Sequence, residues 1–106
     1  MPLYMSKVSY TAEGVRGLLK EGGSSRRAAI EKMLEGMGGR LVAFYFTTGD
    51  DDAFVISELP SSVDGVAVSM AVGASGIGSI STVELLTPEQ IDEATKKTVG
   101  YRPPGS

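Results

Sequence analysis

Residues 40–58 read RLVAFYFTTGDDDAFVISE. Two runs rich in aromatic and β-branched residues flank a polar Gly/Asp turn. The first spans Arg40 to Thr47 and the second Ala53 to Glu58. Such a pattern predicts an antiparallel hairpin. Alternation along the first run puts Leu41, Ala43 and Tyr45 on one side and Val42, Phe44 and Phe46 on the other. In the second, Phe54 and Ile56 oppose Ala53 and Val55. Both sides of the hairpin are apolar or aromatic, whereas a half-exposed antiparallel strand alternates with polar residues. One face is therefore expected to pack on helices. The other is expected to meet a second subunit's sheet or to wall an apolar cavity, because in water it would form an unusually large patch.

Upstream of the hairpin, residues 26–37 carry the clearest helical signal. Ile30, Met33, Leu34 and Met37 stand at i, i+3, i+4 and i+7, and Gly38-Gly39 follows as a stop. Before that helix, Thr11 is an expected N-cap for a short helical turn with Val15, Leu18 and Leu19 as its apolar side. Gly22-Gly23 breaks the turn, and Ser24 or Ser25 restarts the chain as helix. Leu3 to Tyr10 reads as a first strand. Tyr4, Val8 and Tyr10 share one face; Leu3, Met5, Lys7 and Ser9 share the other.

Downstream, Leu59-Pro60 stops the hairpin. Ser61 or Ser62 caps an expected helix to about Val72, with Val63, Val66, Ala67 and Met70 as its apolar face. Gly73 to Gly78 reads as a loop and Ser79 to Leu86 as a fourth strand. Thr87-Pro88-Glu89-Gln90 is a strong helix start, with Thr at the N-cap, Pro at N1 and Gln at N3. That helix is expected to run to about Thr98, with a tail after it.

The order is βαββαβ plus a C-terminal helix. It predicts an α+β, ferredoxin-like antiparallel sheet with helices on one face. Residues 1–98 form one domain in this reading and 99–106 a tail or partner-binding arm. With its second apolar face, the domain resembles half of a dimeric α+β barrel, and a homo-oligomer (dimer or higher) is expected.

Composition narrows the chemistry. The 106 residues contain no cysteine, histidine or tryptophan. Disulfides, thiol nucleophiles, iron–sulfur clusters, Cys/His zinc sites and a Ser-His-Asp triad are excluded. Proton transfer is left to carboxylates, Tyr, Lys or a substrate. The net charge is −3, and basic residues cluster no further than adjacent pairs such as Arg26–Arg27. Phosphate neutralisation drives nucleic-acid binding, so no nucleic-acid partner is expected. No stretch reaches membrane-span length, and residues 1–4 lack the character of a signal peptide. No membrane partner and a cytoplasmic location are expected.

The hairpin tip, Tyr45-Phe46-Thr47-Thr48-Gly49-Asp50-Asp51-Asp52, resembles the GYD-domain family, named for a Gly-x-Tyr-Asp turn. Gly49 and Asp52 match the turn, and Asp51 stands at the tyrosine position. Pro2-Leu3-Tyr4 is similar to the family's first strand and Gly38-Gly39-Arg40-Leu41 to the start of its second. Thr82 to Glu89 is similar to its last strand and final helix. The resemblance implies a bacterial ferredoxin-like fold of the dimeric α+β barrel type and no particular activity.

Among candidate site residues, Asp50-Asp51-Asp52 reads as a solvated turn rather than a metal loop, since no Asp-x-Asp-x-Asp-Gly pattern is present. Asp52, at the strand edge, is a candidate to orient a group in a sheet cavity or to bind Arg40. Tyr4, Tyr10 and Tyr45, with Lys7 or Arg40, are candidates to line a cavity for a small organic acid or aromatic ligand; packing is the competing role for each tyrosine. The Gly73–Gly78 stretch follows a helix and precedes a strand, the reverse of a phosphate loop. No metal and no cofactor are expected. The first functional reading is a small-molecule or partner-binding module. Its alternatives are a cofactor-independent barrel oxygenase, isomerase or cyclase, and a structural or regulatory subunit engaging a partner through its tail.

Overall fold

The hairpin forms, with one displacement that changes its faces. The computed structural model describes residues 1–106. It runs β1 (Leu3–Tyr10), α1 (Ala12–Glu21), α2 (Gly23–Gly36), β2 (Arg40–Phe46), β3 (Ala53–Glu58), α3 (Ser62–Ser75), β4 (Gly78–Leu85) and α4 (Pro88–Thr95). The four strands form one sheet in the order β2-β3-β1-β4, and every neighbouring pair is antiparallel. This is the ferredoxin-like α+β arrangement. No helix is long and apolar enough to cross a membrane.

In β2, Leu41 pairs with Ser57 but Ala43 pairs with Ile56. Val42 is an extra residue, a β-bulge, and it resets the alternation. Leu41 therefore joins Phe44 on the helix side, not Ala43 and Tyr45 as strict alternation predicts. There it packs on the core of Tyr4, Leu34 and Leu59. A second core cluster joins Val8, Ala53 and Val55, with Ile30 and Phe44 against it. The register puts Tyr4, Ser6, Val8 and Tyr10 on this helix side of β1, as expected for its tyrosines.

The opposite face carries Met5, Lys7, Tyr45, Phe54, Ile56 and Val83 in facing rows. Phe54, Tyr45 and Val83 are exposed. The helices pack elsewhere: α2 on β2, α3 on β4, and α1 on α2 and β1.

Two helices turn different residues inward from those their apolar spacing predicts. Helix α1 is a full ten residues, capped by Thr11, whose hydroxyl accepts from the Gly14 N–H at 3.2 Å. Its buried residue is Gly14, while Val15 and Leu19 are exposed. A Cβ on Gly14 would stand 2.0 Å from the Ile77 carbonyl oxygen, so the glycine is what lets α1 approach the start of β4. Helix α3 runs three residues past Val72 and ends at Gly76, φ +78°. It turns Gly65, Val68 and Val72 inward and leaves Val63, Val66 and Met70 exposed. A helix apolar all round gives no unique inward face from sequence.

Helix α4 stops at Thr95, short of Thr98, and has no substantial packing on any other element. Every residue from Leu86 to Ser106 is exposed. The radius of gyration is 17.1 Å, against about 13 Å for a compact chain of this length.

Candidate functional site

Between the sheet and helices α2 and α3 lies a cavity of about 50 Å3. A water needs roughly 10–15 Å3 of such space, so there is room for a few waters or a small organic molecule. Its walls are mostly apolar, among them Ile30, Val55, Val68 and Val72. Set into them is a group of hydroxyls from the sheet: Tyr4, Ser6, Ser57 and Thr82.

Register explains why these polar groups meet. Ser6 pairs with Thr82 across β1 and β4, and their hydroxyls share a hydrogen bond at 2.9 Å. Tyr4 pairs with Ser57 across β1 and β3. The Tyr4 hydroxyl shares a 3.1 Å hydrogen bond with Ser62, the first residue of α3. Ser57 is 3 % exposed and faces the cavity. Asp64 accepts from both the N–H and the hydroxyl of Ser61 at 3.1 Å, which fixes the start of α3 above Tyr4.

The wall at Gly65 is thin. A Cβ built there would meet nothing within 4 Å. Beyond it runs an open groove bordered by Ser62, Val66, Ser69, Met70 and Glu84, and Tyr4, Gly65 and Thr82 border both spaces. Arg26, half-buried in the first turn of α2, is the one charged side chain lining the cavity.

The residues singled out in the sequence fall into three places. Tyr4 and Tyr10 line the cavity. Lys7 and Tyr45 lie on the opposite, open face, with Phe54 paired between them. Arg40 belongs to that face too, at its rim. Its guanidinium donates two hydrogen bonds to Glu58, at 3.0 and 3.1 Å, and not to Asp52. Gly49 and Asp52 sit at the hairpin tip. The Gly49 N–H donates to the Thr47 hydroxyl at 3.1 Å. The Asp52 carboxylate accepts from the Tyr10 N–H, and the Asp52 N–H donates to the Val8 carbonyl at 2.8 Å. The three tip carboxylates do not converge as a metal-holding group.

Sequence reasoning passed over Ser6, Ser57, Thr82 and Arg26. A signal for the serines was present: each stands at an inward position of a strand whose inward neighbours are Tyr4, Val8 or Val55.

The fold and the cavity define a ferredoxin-like α+β domain with a hydroxyl-bearing, helix-covered pocket and an open sheet face. The chain matches the GYD domain over residues 4–95, from β1 to the last residue of α4, and belongs to the GYD domain family. Neither the curated proteins nor the solved structures contain a match to it.

Proposed function

We propose that this protein is a homo-oligomeric binding module that takes a small organic molecule into the cavity between its sheet and α2/α3. The observation that carries the reading is the cavity itself, apolar on most sides yet furnished with sheet hydroxyls. An apolar pocket with a few convergent polar groups is the usual form of a small-molecule site.

The assembly reading rests on surface. The chain exposes 7257 Å2. A compact monomer of 11.1 kDa exposes about 5,700 Å2. The surplus, roughly 1,600 Å2, is ample for one side of a stable interface, which takes about 800 Å2 per partner. Only ten of 106 residues are buried, so the monomer's own core is small. The open face around Met5, Phe54 and Ile56, with Lys7 as its one central charge, suits a second copy related by a two-fold axis. The exposed α4 and tail offer further area to the same partner.

The test has two arms. In an NMR titration with isobutanol, amide shifts are expected to centre on Ser57 and Gly65, and Gly65→Val, which grows a side chain into the space, is expected to abolish them. Unchanged shifts in the filled variant would remove the cavity from consideration. For assembly, light scattering is expected to report a dimer or larger species that Phe54→Asp converts to monomer. A wild-type monomer at micromolar concentration contradicts it.

A further inference from the structure

We propose that the cavity's ligand is a small organic carboxylate, its charged end held by Arg26; this rests on the cavity reading above and names the ligand's class. Arg26 and Arg27 are adjacent but part company. Arg27 borders an outer groove with Phe44, Tyr45 and Phe46, while Arg26 lines the cavity beside Tyr10. The backbone fixes this split: Arg26 lies in the first turn of α2, where its N–H donates to the Gly22 carbonyl at 3.2 Å.

Arg26 has no ionic partner. The one ion pair in the chain joins Arg40 to Glu58, on the other side of the sheet. Arg26 is half-buried and lines a largely apolar cavity; a cation in such surroundings attracts an anion more strongly than one in open water, because it is screened less. Its planar donors match the two oxygens of a carboxylate. The same cavity is lined by Ile30, Val55 and Val68, which receive an aliphatic body, and by Ser57 towards its Tyr4 end. The limited volume selects a short or branched chain.

Glu13 and Glu21 border a small groove on the outer side of Arg26 and Tyr10. Neither lies within ion-pair distance of Arg26. They are the competing anions, and they set the discrimination the test must resolve.

The experiment compares isobutyrate with isobutanol, near-isosteres that differ in the charged end, by NMR titration of the full-length protein. Isobutyrate is expected to bind at least about tenfold more tightly, the usual advantage of a charge-assisted hydrogen bond. Arg26→Gln is expected to erase that preference, bringing the two affinities together. Arg26→Lys, which keeps the charge, is expected to retain part of it, and guards against a Gln variant that fails to fold. Equal affinities in the wild-type protein, or a preference that survives Arg26→Gln, overturn the carboxylate assignment. Isobutanol binding alone overturns it while the cavity reading stands. Absence of both shifts at tens of millimolar ligand, an order set by the weak affinity of so few atoms, overturns both.

Discussion

The carboxylate of Asp52 accepts a hydrogen bond from the backbone N–H of Tyr10 at 2.7 Å, tying the tip of the β2–β3 hairpin to the last residue of β1. The tie is doubled by the backbone, since the Asp52 N–H reaches the Val8 carbonyl. The aspartate that the GYD turn shares with this chain thus acts as a clamp between two segments distant in sequence. A hydrogen bond to a charged group contributes about 1.5–3 kcal/mol. Asp52→Ala is expected to lower stability by about that amount, and Asp52→Asn, which keeps an acceptor, by roughly half. Urea denaturation measures both. Equal losses for the two variants would show that the charge adds nothing.

Gly49, the other motif residue, carries no such duty. Its φ is not in the left-handed region, and a Cβ there would meet only the Thr47 hydroxyl at an ordinary 3.8 Å. Gly49→Ala is expected to change stability by less than about 0.5 kcal/mol. Gly14, outside the motif, is the opposite case, because its added Cβ would overlap the Ile77 carbonyl. Gly14→Ala is expected to cost about 1–3 kcal/mol or more, the range of an overpacked core. Thermal melts of the two variants side by side decide the ordering; a Gly14→Ala protein as stable as wild type would mean that α1 can shift freely.

The legible and illegible parts of this fold have physical reasons. Element order and the β1 alternation gave the sheet, because Tyr4 and Val8 repeat with period two and tolerate one reading only. Leu41 was misplaced because a bulge depends on the partner strand, and nothing in the RLVAFYF run marks Val42 as the extra residue. The inward faces of α1 and α3 were misread because glycine adds nothing to an apolar pattern, yet Gly14 and Gly65 are the residues that face in. Tyr4 and Tyr10 were legible as neighbours. Arg26 was not, since an arginine in the first turn of a helix reads as solvated until the opposing strands are in place. Lys7 and Arg40 seemed equally suited to a cavity, but alternation and the rim pair with Glu58 hold them on the other face.

Gly65 supplies a prediction of the opposite sign. It lies inside α3, with helical backbone and empty space where a Cβ would go. Glycine in a helix interior loses more conformational entropy on folding than alanine, by roughly 0.5–1 kcal/mol. Gly65→Ala is therefore expected to stabilise the protein by about that amount, while thickening the wall between cavity and groove. Calorimetry reads the rise in melting temperature. A fall would mean that the space is occupied when the protein folds.

Helix α4 poses the sharpest question about assembly. It has eight residues, and isolated helices shorter than about 12–15 residues are marginal in water. Its capping box is complete: the Thr87 hydroxyl accepts from the Gln90 N–H at 3.1 Å, and the Gln90 side chain accepts from the Thr87 N–H at 2.8 Å. Leu86, Ile91, Val99 and Tyr101 nevertheless stand exposed along the arm. A cap alone holds so short a helix only marginally, and in the proposed assembly the remaining stability comes from packing on a second copy. Loss of an N-cap costs about 0.5–2 kcal/mol. If the helix forms only where it packs, that cost falls on association and not on the folding of a lone chain. Both chains of a homodimer lose the cap, about 1–4 kcal/mol together, so Thr87→Ala is then expected to weaken dimerisation roughly five- to several-hundredfold, with no change in the unfolding of a monomer made by Phe54→Asp. Sedimentation equilibrium of Thr87→Ala and urea melts of the double variant separate the two effects. A dimer constant untouched by Thr87→Ala would place the arm outside the interface and leave the sheet face to hold the two copies alone.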